Sequence, residues 1–343
     1  MVKMNIGHKA AIAVAAIVLT VAAIAAAWVM PYIYDTAGVR VMVHVRPGMD
    51  GKALCDTLQA YCSDGFARRT AKVLSWLDVD LSARCGAYEI KPTDNPIASA
   101  RKIRNREQTP VRFTFGNLRL KEQFARRAEQ QLMMSQDEIA ALLGDSATCA
   151  AYGKNPATIV NILLPDTYEV YWNVPPRGLL DRLHGYYLQF WNDDRTARAR
   201  ALGLTPDEVQ VLASIVEEES AKADEYGKIA RLYLNRIERG IPLQADPTVK
   251  FAIGDFSIRR ITRAMLEVQS PYNTYLHTGL PPGPIRLASK QAIDAVLNAP
   301  RHNYLYMCAK EDFSGYHNFT ASYSQHLANA RRYQAELNRR NIK

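Results

Sequence analysis

The hydrophobic pattern changes character three times along the chain. Ala10 to Met30 is an uncharged run in which Thr20 is the one clearly polar residue. As a helix rising ~1.5 Å per residue it reaches roughly 31 Å, the thickness of a bilayer core. From Val41 the segments become short. Val41-Met42-Val43-His44-Val45-Arg46 alternates and stops at Pro47-Gly48, which predicts a strand and turn. Helical spacing follows over Lys52–Cys62 and Ala67–Leu77, then a second strand at Cys85–Ile90 and a helix over Pro96–Arg104. Further on, the pattern predicts a strand at Val111–Phe115 and helices at Leu120–Gln131 and Leu179–Trp191.

From Thr205 the helical period dominates. Thr205 can cap, Pro206 suits the first helical position, and Glu208 completes a capping box. Val209, Leu212, Ile215 and Val216 mark one apolar face. Three acids follow: Glu217, Glu218 and Glu219. Glu219 comes seven residues after Leu212, four after Ile215 and three after Val216, so it projects from the middle of that face. Glu217 and Glu218 point away from the stripe. A carboxyl on an apolar face is desolvated, its pKa rises, and it can serve as a general acid on a poor leaving group such as a glycosidic oxygen. A local Arg or Lys pairing with Glu219 is the bland alternative. A second helix is expected from a cap at Asp224 to Gly240, with Ile229, Leu232, Tyr233 and Ile237 as its apolar stripe.

Charge and cysteines narrow the setting. Of 343 residues, 43 are basic and 34 acidic, and only Lys3 and Lys9 of the basic ones fall before Met30. The first charge after the apolar run is Asp35, so the positive-inside rule places the N-terminus in the cytoplasm and the body after Pro31 outside. A cleaved signal peptide and a buried core helix compete with this single-pass reading. Nine basic residues between Arg101 and Arg127 fit a solvated face or contact with an anionic polymer or lipid. Export leaves nucleic acid without a role. The five cysteines, Cys55, Cys62, Cys85, Cys149 and Cys308, are odd in number and show no zinc spacing, so no bridge is assigned. No metal or organic cofactor is indicated.

Two polar clusters lie in loop-like contexts, Leu243-Gln244-Ala245-Asp246-Pro247-Thr248-Val249 and Ser270-Pro271-Tyr272-Asn273-Thr274-Tyr275. Tyr beside Asn and Thr suits carbohydrate, and equally suits turns. Leu212–Glu219, Asn235-Arg236, these two clusters, Gly279–Ile285 and His317-x-Phe319-Thr320 with His326 after it occur in the order of the MltG (YceG-like) endolytic murein transglycosylases, which the chain resembles from about Ile159 to Arg340. Pro165-Asp166-Thr167-Tyr168 is similar to a segment further upstream in that family. Ala245 stands where members commonly have Thr, and Asn318 where some do.

The resemblance implies an α+β fold. Its parts would be a tail at 1–9, a transmembrane anchor at 10–30, a LysM-like subdomain at 41–107, a connecting α/β segment at 108–158 and a catalytic domain at 159–343. It implies Glu219 as the catalytic residue. More weakly, it implies Glu217, Gln244, Asp246, Thr248, Tyr272, Asn273 and Thr274 as substrate-binding residues. The substrate would be nascent peptidoglycan glycan, cut between MurNAc and GlcNAc to leave 1,6-anhydro-MurNAc ends, beside the inner membrane and alongside the synthases. A membrane-anchored peptidoglycan-binding or scaffold protein without catalysis is the alternative from another class.

Overall fold

Val41, Val43 and Val45 bury one face of a strand while Met42 and His44 stay half-buried, the signature of a sheet covered on one side. In the computed structural model, which describes residues 6–258 and 260–340, the chain divides into two units. Of the expected N-terminal tail, residues 1–5, Lys3 among them, lie outside the described residues.

The first unit runs to Arg112 and regains Glu169–Asn173. It holds α1 (Ile6–Tyr34), β1 (Val41–Val45), α2 (Gly51–Gln59), α3 (Asp64–Trp76), β2 (Gly86–Ile90) and α4 (Pro96–Arg104). Ala10–Tyr34 of α1 is long and apolar enough to cross a membrane, and Ala10–Met30 is exposed along its whole length. β1 and β2 pair antiparallel, with Val41 opposite Ile90 and Val45 opposite Gly86. α2, α3 and α4 begin where Asp50, Ser63 and Asn95 accept hydrogen bonds from the backbone N–H groups of Ala53, Phe66 and Ala98. They close over a core of Leu54, Leu58, Phe66, Leu74, Tyr88, Ile90 and Ile103.

β3 (Val111–Phe115) and β4 (Asp166–Val170) pair with each other, and the division between the units falls within both strands. The segment after Phe113, expected as a connector, belongs to the larger second unit. There α5 (Lys121–Gln131), α6 (Gln136–Gly144) and α7 (Ser146–Ala151) precede β4. Phe115 is the hub of their core, 5.0 Å from Phe124 edge-on and 5.6 Å from Tyr168 stacked.

After β4 the second unit is mostly helical. It continues with α8 (Pro176–Phe190), α9 (Asp193–Ala201), α10 (Pro206–Glu219), α11 (Tyr226–Glu238), α12 (Asp246–Ile253) and α13 (Lys290–Leu297). The antiparallel pair β5 (Tyr306–Ala309) and β6 (His317–Thr320) follows, then α14 (Tyr323–Arg339). α10 packs against α11, α12 and α13. Its capping box forms as the sequence predicts: Thr205 Oγ1 accepts from Glu208 N–H, and Thr205 N–H donates to the Glu208 carboxylate at 2.7 Å. Asp207 in the first turn is held by Lys154 Nζ at 2.6 Å and Asn161 at 2.9 Å.

Two expectations are revised. Asp224 does not cap α11; it lies in a single 3-10 turn, Ala223–Glu225, that leads into the helix. The burial of α10 also extends beyond the one apolar face read from the sequence: every residue from Val209 to Glu217 is buried, Glu217 included. Its polar members survive there because each has a partner. Gln210 bonds Trp191 and the Asn161 carbonyl, and Ser214 bonds the Val211 carbonyl and Ile285 N–H.

Candidate active site

Successive helical residues turn by about 100°, so the three glutamates ending α10 meet three different surroundings. Glu217 points into the protein. It accepts from Ser289 N–H at 2.9 Å and Asn117 Nδ2 at 3.2 Å, with Arg286 Nε 3.7 Å away. Glu218 is gripped by Arg119, through Nε at 3.1 Å and Nη2 at 2.8 Å, and by Arg286 Nη1 at 2.8 Å. Glu219 has neither arginine. It lines a cavity of about 320 Å³, at the lower end of the roughly 300–1,000 Å³ typical of ligand pockets.

Burial pushes the Glu219 carboxyl up to about 7, and the Asp246 charge adds to the rise. Its place at the C-terminus of α10, where helix carbonyls converge, also disfavours an anion. Two groups oppose this. The Tyr233 hydroxyl donates to Glu219 Oε1 at 2.6 Å, and Lys250 contributes its charge. Tyr233 itself is held well above the ordinary phenol range by burial and by Glu219, so it remains a donor. Asp246, which begins α12, lines the same cavity and accepts from the Tyr275 hydroxyl at 2.6 Å.

The floor is tied together by Arg236. From α11 its guanidinium donates to the carbonyls of Leu305 at 2.7 Å, Pro242 at 3.0 Å and Leu243 at 2.8 Å, and to Gln244 Oε1 at 3.2 Å. Gln244 sits at φ 53°, a left-handed conformation that costs energy for a side chain with a Cβ. The Arg236 bond and the Gln244 N–H to Thr274 carbonyl bond, 3.0 Å, hold it there. On the opposite wall His317 Nδ1 lies 2.8 Å from Glu225 Oε2, while the His317 backbone N–H donates to Oε1 at 2.9 Å. His326 stacks on Tyr306 with centroids 5.3 Å apart.

Of the residues singled out in the sequence, Glu219, Gln244 and Asp246 line the cavity together. The others stand elsewhere. Glu217 is buried behind the last turn of α10. Thr248 and Thr274 are buried and bond each other at 2.8 Å, and Thr274 also accepts from Ala245 N–H. Asn273 is fully buried; its Nδ2 donates to the carbonyls of Leu266 and Val268 and its Oδ1 accepts from Tyr275 N–H. These three residues shape the loops that present Gln244, Asp246 and Tyr275. Tyr272 packs on Phe251 at 4.8 Å and faces a separate groove.

The sequence reading missed Tyr233, Tyr275, Glu225 and the role of Arg236. The Tyr233 ring lies in the apolar stripe that the sequence predicts, and only its hydroxyl reaches the site. Among the described residues no cluster of three or more His, Cys, Asp or Glu side chains is arranged for a metal.

The chain is similar to known proteins in sequence and in fold. An endolytic murein transglycosylase of Bacillus subtilis (strain 168) is 32% identical over 197 residues, 57% of this chain and 53% of that protein. One from Streptococcus pneumoniae serotype 2 (strain D39 / NCTC 7466) is 30% identical over 159 residues, 43% of this chain and 27% of that protein. The chain thus spans about half the length of the first relative and about a quarter of the second. A 2.6 Å crystal structure of a putative yceG-like protein from Listeria monocytogenes superposes with a TM-score of 0.57 at 22% identity. That match covers 84% of this chain and 98% of the other, and it establishes a shared fold. The YceG-like family model matches residues 43–332, and the chain belongs to that family.

Proposed function

We propose that the protein is a membrane-anchored endolytic peptidoglycan lytic transglycosylase. The observation that carries this reading is Glu219: one carboxyl, free of arginine, held near neutrality in a cavity of sugar-ring size. The names of the Bacillus and Streptococcus relatives supply the substrate class.

In the reaction, protonated Glu219 gives its proton to the glycosidic oxygen between MurNAc and GlcNAc. The C1–O bond breaks as an oxocarbenium-like state develops on MurNAc, and the GlcNAc side leaves with a free hydroxyl. The Glu219 carboxylate then takes the proton of the MurNAc C6 hydroxyl as that oxygen bonds to C1. The new end is 1,6-anhydro-MurNAc, no water is consumed, and Glu219 regains its proton. A group near neutrality can perform both transfers, so a second carboxylate acting as nucleophile is not required. Asp246, which accepts from Tyr275, would balance positive charge on the sugar. Gln244 and Asp246 would bind glycan directly. Glu217, Thr248, Asn273 and Thr274 would act by holding the walls, and Tyr272 from its separate groove.

α1 would be the single-pass anchor, with residues 1–9 cytoplasmic and the body outside the inner membrane. The strand-helix-helix-strand order of residues 41–90 supports a LysM-like role in gripping glycan. Cutting nascent strands there would limit their elongation beside the synthases.

The test is a digest of uncrosslinked nascent glycan by the full chain in detergent, beside Glu219→Gln, with new ends read by mass spectrometry. Anhydro-MurNAc ends from the wild type alone are expected. Reducing ends would reject the lyase chemistry. Equal glycan binding by both proteins with no cutting by either would favour the scaffold.

A further inference from the structure

The end of α1 and the face of α3 share a surface that glycan cutting does not use. Trp76, at the C-terminus of α3, lies 5.9 Å from Trp28 and 5.0 Å from Tyr32 between ring centroids. Lys72, one turn earlier, holds its Nζ 5.1 Å from the Trp28 ring and 5.5 Å from the Trp76 ring. Arg69 Nη1 is 2.6 Å from Asp35 Oδ2. Asn95 Nδ2 donates to the Ile33 carbonyl at 2.9 Å.

These contacts fix a direction. Asp35 is seven residues beyond Trp28, and Arg69 is seven residues before Trp76. Each interval is about 10 Å of helix. α3 therefore runs antiparallel beside the end of α1, and its C-terminus points back toward the apolar run. Trp28 is two residues inside the end of that run. A ring tilted beside it lies at the depth where indoles favour the boundary of hydrocarbon and headgroups.

The cluster does not close on itself. Trp76 remains 52% exposed and Trp28 59% exposed. We propose that the last turn of α3 enters the interfacial layer of the bilayer that α1 crosses. Trp76 is the inserted ring, and Lys72 reaches lipid phosphate above it while its stem covers the two indoles. This rests on α1 being a membrane span. Aromatic insertion rather than charge drives it, since exposed Asp78 and Asp80 follow Trp76. The module of residues 41–104 is thereby held against the membrane surface instead of swinging on a tether.

The experiment places the full chain in phosphatidylcholine vesicles containing lipid brominated close to the headgroup, and reads tryptophan quenching. The other two indoles, Trp172 and Trp191, are buried and supply a constant background. Quenched emission should fall by about half in Trp28→Phe and by about half in Trp76→Phe, if both rings share the interface. A loss in Trp28→Phe alone would overturn the insertion of α3 and leave the span intact. No loss in either would overturn both. Should Trp76→Phe not fold, a photoreactive group at headgroup level in the lipid is crosslinked to the unmodified chain. Adducts on Trp76 or Lys72 support the proposal, and adducts confined to α1 reject it.

Discussion

The Tyr233 hydroxyl donates to Glu219 Oε1 at 2.6 Å, so the group that stabilises the carboxylate sits against a carboxyl that burial keeps protonated. The two influences oppose each other and leave Glu219 balanced at about 7. An acid that must lose and regain one proton in each cycle works best near that balance.

The ionisation of Glu219 should be visible in stability. The unfolded chain releases this proton near 4.5 and the folded chain near 7. The folded state binds more protons between those values, so stability is full below about pH 4.5 and is lost as pH rises through 7. The loss attributable to this group is roughly 2–3 kcal/mol. Urea unfolding at pH 5 and pH 8 should show it in the wild type, and Glu219→Gln should lack that portion. Turnover should decline above pH 7 as the acid form disappears.

Tyr233→Phe removes a hydroxyl and keeps the ring in the core. Without the donor, Glu219 holds its proton to higher pH, so the alkaline limb of the pH–rate profile should move upward. Maximal turnover should fall by roughly tenfold, the equivalent of one hydrogen bond to a charge formed during reaction. An unchanged limb would show that the bond does not set the Glu219 proton affinity.

Asn273 and Gln244 should separate stability from activity. Asn273→Ala removes the partner of two half-buried carbonyls and one N–H, at a cost of about 1–3 kcal/mol, and should lower the melting temperature. Gln244→Gly relieves about 1–2 kcal/mol of strain at a left-handed residue, offsetting the lost Arg236 contact, and should change stability little while reducing turnover. Differential scanning calorimetry beside the glycan digest checks both.

Glu217→Ala should behave as a core lesion. It leaves Ser289 N–H and Asn117 Nδ2 without their acceptor and removes the carboxylate that faces Arg286 Nε at 3.7 Å. The expected cost is about 3 kcal/mol or more. Full stability with selective loss of substrate affinity would instead assign Glu217 to substrate contact.

The start of α10 was the most legible feature, because Thr205, Pro206 and Glu208 announce it through residues that fit a helix N-terminus, whereas α3, capped by Ser63, starts three residues before the Ala67 that the pattern predicts. Glu219 was legible because its neighbours on the helix face are close in sequence. Gln244 and Asp246 were legible only through the family resemblance, and the partnership of Tyr233, Tyr275 and Glu225 with the site was not, since these residues come from separate segments. No local pattern distinguishes a tyrosine buried for its ring from one placed for its hydroxyl. Asn273 and Thr274 illustrate the converse: residues typical of carbohydrate sites that fold inward to secure a turn.

Glu219 ends a helix of 14 residues whose other end is locked by Thr205, Glu208, Lys154 and Asn161. Its position is therefore set by counting. One inserted residue between the cap and the acid would advance the carboxyl by ~1.5 Å and rotate it by about 100°, handing the cavity to a different glutamate. Loops around the site can vary in length without that consequence. The number of residues between Thr205 and Glu219 is therefore as binding on this segment as its buried packing.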